Sequence, residues 1–141
     1  MKEIVIGCDH AGFHLKEKLG LLLKEMNFTV KDVGCYSDQS VDYPDFGHQV
    51  AKSVEENTEK KGIVICGSGN GINMSVNKHS KVRGALCWNK EIAELARLHN
   101  DANILALPAR YISYEEAEQI VKTFLNTSFE GGRHQRRIDK I

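Results

Sequence analysis

A cysteine stands directly before a glycine-rich loop in the segment IVICGSGNGI, which covers residues 63–72. Gly67, Gly69 and Gly71 allow backbone N–H groups to turn inward, and a helix that follows adds its positive end. This pattern favours an anion-binding loop over a plain tight turn. Cys66 is then either a small apolar filler or a thiol that attacks a carbonyl or removes a proton beside one.

The common phosphate-binding loops do not fit this segment. A dinucleotide-binding G-x-G-x-x-G pattern would need its third glycine where the chain has Ile72 or Met74. A Walker loop is absent, because the glycines at 7 and 12 are followed by Phe13 and His14 rather than by Lys and Ser or Thr. A cysteine phosphatase would need an arginine at the position of Ile72. The loop therefore suits another anion, including one that exists only during a reaction.

Histidines next to other polar groups are further candidates. Asp9 and His10 follow the first apolar run, and His10 lies four residues before His14, a spacing that could hold a metal but lacks an obvious third ligand. His99 and Asn100 end a segment of helical periodicity. A histidine at that position also suits the negative end of a helix, so both a structural and a catalytic interpretation stay open.

Arginines supply a separate set of candidates. Arg110 follows the last apolar run, and the tail GGRHQRR places Arg133 and Arg137 four residues apart, on one face of a helix. Such a pair could clamp one phosphate, although isolated surface charges are usually only solvated. If the arginines hold a phosphate, the glycine loop is free for a second, transient anion. A small phosphorylated substrate with a reactive carbonyl would fit both.

The elements that must position these residues alternate in type. Short β-branched runs cover residues 3–8, 28–33, 62–66, 83–87 and 103–107. Helical periodicity covers residues 13–27, about 45–59, 70–78, 90–99 and 114–126. This alternation predicts a parallel sheet with helices on both faces, in which ligands bind at the carboxyl ends of the strands.

Composition narrows the class of protein. The 141 residues suit one domain, and equal numbers of basic and acidic residues, 19 of each, argue against general binding of nucleic acid or membrane surfaces. The four cysteines form no C-x-x-C pair, the apolar run in the opening segment MKEIVIGCDH is shorter than we expect of a signal peptide, and no apolar run approaches about 18 residues. We expect a cytoplasmic protein with reduced thiols.

Five segments, in this order and spacing, resemble the type B ribose-5-phosphate isomerases, a family that includes galactose-6-phosphate isomerase subunits: GCDHAG, DYPDFG, CGSGNGINMSVNK, RLHNDANILALPAR and EGGRHQRR. The resemblance runs from residue 2 to about residue 137. It implies a three-layer α/β/α Rossmann-like fold with a five-stranded parallel sheet. Residues 1–141 would form a single sugar-phosphate isomerase domain with an arginine-bearing tail at about 127–141.

The resemblance also implies an activity and an assembly. The activity is the interconversion of D-ribose 5-phosphate and D-ribulose 5-phosphate in the pentose phosphate pathway, without a metal or an organic cofactor. The assembly is a homodimer whose active sites lie at the subunit interface, often paired further into a tetramer.

Roles for individual residues follow from the same resemblance. Cys66 would be the base that moves a proton between two carbons, and Ser68 would shuttle the hydroxyl protons. The enediolate would lie against backbone amides of the loop formed by Gly67, Ser68, Gly69, Asn70 and Gly71.

The remaining roles concern the sugar ring and the phosphate. His99 would act as the acid that opens the furanose ring, Asp9 would help at the ring oxygen or a hydroxyl, and Asn100 would bind sugar hydroxyls. The phosphate would be surrounded by groups from both subunits, namely His10, Arg110, Arg133 and Arg137.

Two positions of the loop depart from the family pattern. Ser68 replaces a common threonine and keeps the hydroxyl, whereas Asn70 stands where an apolar residue is common. Asn70 leaves open a hexose 6-phosphate substrate such as allose 6-phosphate or galactose 6-phosphate. A non-catalytic sugar-phosphate sensor, which would keep the arginines but need no reactive thiol, is the rival from another class.

Overall fold

The computed structural model describes residues 2–141 and contains a five-stranded parallel sheet with the strand order β2-β1-β3-β5-β4. The strands are β1 (Glu3–Cys8), β2 (Thr29–Asp32), β3 (Lys61–Cys66), β4 (Gly84–Leu86) and β5 (Ile104–Pro108). The β-branched runs therefore predicted every one of these strands to within two residues at each end. The resemblance to a Rossmann-like fold with a five-stranded sheet is confirmed.

Helices connect the strands and close the chain. They are α1 (Phe13–Glu25), α2 (Tyr43–Glu56), α3 (Asn70–Val76), α4 (Lys90–Asn100), α5 (Tyr114–Asn126) and α6 (Arg133–Ile138), with a short 3-10 turn at His10–Gly12. Ser113 caps α5 by accepting the backbone N–H of Glu116 at 3.1 Å, and the Glu116 carboxylate accepts the backbone N–H of Ser113 at 3.1 Å. Helix α2 begins earlier than the predicted 45–59, because Tyr43 and Pro44 already form its first turn. It also ends earlier, at Glu56, since Asn57 is extended.

The core lies on both faces of the sheet, as strand β3 shows. Ile63 and Ile65 pack into a cluster with apolar residues of α1, α4 and α5. Val64 and Cys66 point to the other face and pack against α2 and α3. Alternate side chains of one strand thus enter two different helix layers, which produces the three-layer α/β/α architecture.

The parallel strands give the sheet two distinct ends. We call them the carboxyl edge, where the strands end, and the amino edge, where the strands begin. At the carboxyl edge, where the strands end, Cys66 is paired with Pro108 in the ladder of β3 and β5. Helix α4 leaves this edge and returns the chain to the amino edge, where the strands begin. There the Gly62 N–H donates to the Asn103 carbonyl at 2.9 Å. The segment that leads into α6 is bound to the end of α4, because the Glu130 N–H donates to the Leu98 carbonyl at 3.1 Å.

Within residues 2–141, no helix combines the length and the apolar character that crossing a bilayer requires.

Candidate active site

Cys66 and Asp9 end neighbouring strands at the carboxyl edge. Cys66 is the last residue of β3, and 5% of its surface is exposed. Asp9 follows β1, and its N–H donates to the Ile65 carbonyl at 3.1 Å. Its buried carboxylate accepts the N–H groups of Ala11 and Gly12 at 3.0 and 3.3 Å. These bonds fix the acid beside the end of the strand that carries the thiol.

The glycine loop follows Cys66 in a conformation that other residues could not adopt. Gly69 has φ +76°, and a side chain there would meet Leu86 and lie 3.1 Å from the Leu107 carbonyl carbon. The Arg110 guanidinium lies 3.1 Å from the point that a Gly67 Cβ would occupy, and the Arg110 N–H donates to the Gly67 carbonyl at 3.0 Å. The fold thus holds a cation against the loop.

Polar side chains complete this edge. The Ser68 hydroxyl oxygen accepts from the backbone N–H and the side-chain amide of Asn70, each at 3.3 Å, and both residues are exposed. The Nδ1 atom of His10 accepts the Val41 N–H at 3.2 Å. A neutral His10 ring therefore carries its proton on Nε2, which remains available as a donor to an anion. His14, the other member of the histidine pair, is exposed and lies 3.5 Å from Asp38.

The other predicted site residues lie at the opposite edge. His99 and Asn100 end α4, and the Asn100 carbonyl accepts the Nε of Arg83 at 2.9 Å. Arg133 and Arg137 are exposed on α6, which packs against the end of α4. Both arginines lie on this one short helix, which is the condition under which their four-residue spacing places them on one face.

One chain therefore separates the predicted site into two groups. The carboxyl-edge group contains Asp9, His10, Cys66, the loop from Gly67 to Gly71 and Arg110, and the amino-edge group contains His99, Asn100, Arg133 and Arg137. Strand β3, six residues long, lies between the two edges and spans about 16 Å at 3.3 Å per residue. A sugar phosphate cannot reach both groups of one chain.

His134 is a neighbour of the predicted site residue His99 that the sequence did not reveal. Its ring stacks on that of His99, with 4.2 Å between centroids and 15° between planes. The side chain is buried, and its Nε2 has no hydrogen-bond partner among residues 2–141, although the Glu130 carboxylate lies 3.9 Å away. Burial lowers the pKa of His134, and the neighbouring His99 and Arg133 add to this shift. A neutral His134 thus supports the His99 ring.

Potential metal ligands also meet here. Within residues 2–141, ligand atoms of His99, Glu130 and His134 lie within 4.8 Å of one another. The two imidazole planes are nearly parallel, so their in-plane lone pairs do not converge on one ion in this arrangement.

The remaining cysteines are structural. Burial, and then the nearby Cys35 thiol, raise the pKa of Cys8 far above its ordinary value; the two sulfur atoms lie 3.9 Å apart. Burial raises the pKa of Cys87 to about 12. Both groups remain neutral thiols near pH 7, as expected of cysteines that fill the core.

Comparison with known protein families identifies the family of this chain. The model of the ribose/galactose isomerase family matches residues 4–141. The chain belongs to this family. The ribose/galactose isomerases therefore provide the frame in which the two groups of residues are interpreted.

Individual members of the family are similar over nearly the whole chain. Ribose-5-phosphate isomerase B of Escherichia coli is 42% identical, and the match covers 100% of this chain and 95% of that protein. The Thermotoga maritima enzyme structure is 48% identical with a TM-score of 0.96, covering 99% of this chain and 96% of that one. The Mycoplasma genitalium enzyme, solved with bound ribulose 5-phosphate, is 46% identical with a TM-score of 0.95, covering 98% and 92%.

Proposed function

We propose that this chain is an aldose–ketose isomerase that interconverts D-ribose 5-phosphate and D-ribulose 5-phosphate. The observation that carries the proposal is the fold shared over 98% of the chain with a relative that was solved with ribulose 5-phosphate. A thiol beside an anion-binding loop is the chemistry that such a reaction needs, because moving a proton between C1 and C2 creates an oxyanion.

Cys66 carries out the proton transfer in this proposal. Its thiolate removes the proton from C2 of the open-chain aldose, and the electron pair of the C–H bond moves into the C1 carbonyl to give an enediolate. The Cys66 thiol then returns that proton to C1, while Ser68 moves a proton between the two oxygens, so that the ketose forms without net gain or loss. Loop amides preset for the oxyanion stabilise the transition state more than the substrate.

Ring opening and phosphate binding use both groups of residues. His99 protonates the ring oxygen while Asp9 accepts the proton of the anomeric hydroxyl, and Asn100 binds other hydroxyls. The phosphate lies among His10, Arg110, Arg133 and Arg137, since guanidinium groups pair with phosphate through two parallel hydrogen bonds.

The separation of the two groups supports a homodimer. If the Cys66 of one chain is to act on a sugar held by His99 and Arg137, the latter must come from a second copy. A two-fold axis that places the amino edge of one chain beside the carboxyl edge of its partner completes two identical sites at once. The separation of about 16 Å within one chain supports this arrangement.

Turnover of ribose 5-phosphate in the presence of EDTA tests the proposal. The wild-type chain should form ribulose 5-phosphate, and Cys66→Ala should lower kcat by about 10²- to 10⁴-fold, the usual contribution of a general base. Cys87→Ala is the matched control because Cys87 is buried in the core, and it should keep its turnover. Full activity of Cys66→Ala would remove the assigned base, and a folded wild-type chain that binds the sugar but never converts it would support a sensor.

A six-carbon substrate is the second candidate, favoured by Asn70. This residue is exposed beside Ser68 and presents an amide at the tip of the loop. Comparing kcat/KM for ribose 5-phosphate, allose 6-phosphate and galactose 6-phosphate separates the candidates. A higher value for either hexose phosphate would reassign the substrate while leaving the reaction type in place.

A further inference from the structure

A cavity lined mainly by positively charged side chains lies at the amino edge of the sheet, away from Cys66. It has a volume of about 470 Å³, within the range of small-molecule sites. Its charged lining consists of five cations and one acid, namely Lys60, Lys61, Lys81, Arg83, Arg97 and Asp101. The proposed chemistry uses none of these residues.

Ion pairs inside the cavity leave most of the positive charge uncompensated. Arg83 and Arg97 share the carboxylate of Asp101, at 3.3 and 2.9 Å. Lys60 is paired at 2.8 Å with Glu3, which does not line this cavity. One carboxylate thus serves two guanidinium groups.

Lys61 is the clearest sign that an anion would be favoured. It is partly buried and has no ion pair among residues 2–141. Burial lowers its pKa, and the positive charges of Arg97 and Lys2 add to the shift. An anion beside Lys61 would offset both effects by pairing the ammonium group and screening it from the other cations.

We propose that this cavity binds a small anion that carries two phosphoryl groups. The lining contains the hydroxyl group of Thr58 and the amide of Asn103, which can donate to phosphate oxygens. The Asn103 amide donates one N–H to the Lys81 carbonyl at 2.8 Å and keeps a second, whereas the Ser80 hydroxyl is engaged with the Glu55 carboxylate at 3.4 Å. It includes no aromatic side chain on which a nucleobase could stack. The charge and the polar lining therefore fit a compact, multiply charged anion better than a nucleoside.

The cavity is connected to the amino-edge group of the proposed active site. Arg83 donates through Nε to the carbonyls of Asn100 and Asp101, at 2.9 and 3.3 Å. Asp101 ends α4 in the left-handed region, with φ 45°, a conformation that a non-glycine residue keeps only when its surroundings hold it. An anion that attracts Arg83 and Arg97 competes with Asp101 and loosens the end of α4, next to His99. This coupling rests on the proposed function, whereas binding of the anion does not.

Calorimetric titration with pyrophosphate tests the binding. An Arg133→Ala/Arg137→Ala chain serves as the background, because it lacks the proposed clamp for the sugar phosphate. One pyrophosphate per chain should bind, and adding Lys61→Ala and Lys81→Ala should weaken the affinity by about tenfold or more, as expected for losing charge-assisted hydrogen bonds. Lys52→Ala, which removes an exposed lysine of α2 outside the cavity, should leave the affinity unchanged. Circular dichroism confirms that each variant is folded.

Two results would overturn the binding site: no saturable binding in the background chain, or equal affinity in the Lys61→Ala/Lys81→Ala and Lys52→Ala chains. The coupling to the active site is measured in chains that keep Arg133 and Arg137. Pyrophosphate should change the KM for ribose 5-phosphate more in the wild type than in Lys61→Ala/Lys81→Ala, since competition at the active site affects both equally. Equal changes would refute the coupling. Binding without turnover by any chain would refute the proposed function and leave the cavity site standing.

Discussion

Complementation between two inactive chains tests the two-chain site most directly. One chain carries Cys66→Ala, and the other carries Arg133→Ala/Arg137→Ala. In a mixed dimer with swapped groups, one site receives Cys66 and both arginines, and the other site receives neither. Random mixing at equal amounts makes about half of the dimers mixed, and half of their sites intact, so about one quarter of the wild-type activity should return.

The assay is ribulose 5-phosphate formation after joint unfolding and refolding of the two chains, with mixed dimers isolated through two different affinity tags. Isolated mixed dimers should show about half of the wild-type kcat per chain, with a normal KM, because one of their two sites is intact. Arg133 and Arg137 are exposed and have no ion pair among the described residues, so their removal should leave the fold unchanged.

A chain that carries all three substitutions provides the reciprocal control. When it is mixed with the wild type, swapped sites make every mixed dimer inactive, and activity should fall to about one quarter. Sites contained within one chain would instead keep about half. Isolated mixed dimers that regain no activity would refute the reasoning from the length of strand β3.

Three further substitutions test local features. Ser113→Ala removes the capping box with Glu116 and should lower the free energy of unfolding by about 1 kcal/mol in urea titrations. Gly69→Ala forces φ +76° on a residue with a side chain and should reduce turnover far more than Gly20→Ala, where a Cβ meets nothing within 4 Å. A hydrogen bond from His79 lowers the pKa of Glu55 below its ordinary 4.5, so Glu55 stabilises the fold above pH 4.5, and this stabilisation is lost as pH falls through the lowered pKa. Glu55→Gln should flatten that acid dependence.

Each of these expectations has an outcome that contradicts it. An unchanged urea midpoint for Ser113→Ala would show that the cap adds nothing. Equal turnover of Gly69→Ala and Gly20→Ala would mean that the loop tolerates a side chain. For Glu55→Gln, stability curves between pH 3 and 7 that run parallel to those of the wild type would remove the assigned linkage.

The sequence predicted the strands and helices well, because both the β-branched runs and the helical spacing of apolar residues are clear in this chain. Strand β3 was expected to begin at 62 and begins at Lys61, and α5 was expected over 114–126 and covers Tyr114–Asn126. The ends of α2 were less accurate, since hydrophobic periodicity does not record where a Pro-containing first turn starts.

The site was predicted only as a set of residues. The resemblance named Cys66 and His99 together, although a parallel sheet places strand ends at the carboxyl edge and the ends of connecting helices at the amino edge. Their separation within one chain was therefore implicit in the predicted sheet, and the parallel pairing of the strands makes it explicit. The His99–His134 stack was missed because a single histidine in a basic tail resembles a solvated residue.

The proposed division of the site between two edges would also make activity depend on protein concentration. A free chain carries an acid, a thiol and a loop at one end, and a histidine with two arginines at the other, so in the proposed mechanism neither end alone converts a sugar phosphate. Specific activity should therefore fall on dilution and recover on concentration, following the fraction of paired chains. Newly made chains would stay catalytically silent until they meet a partner.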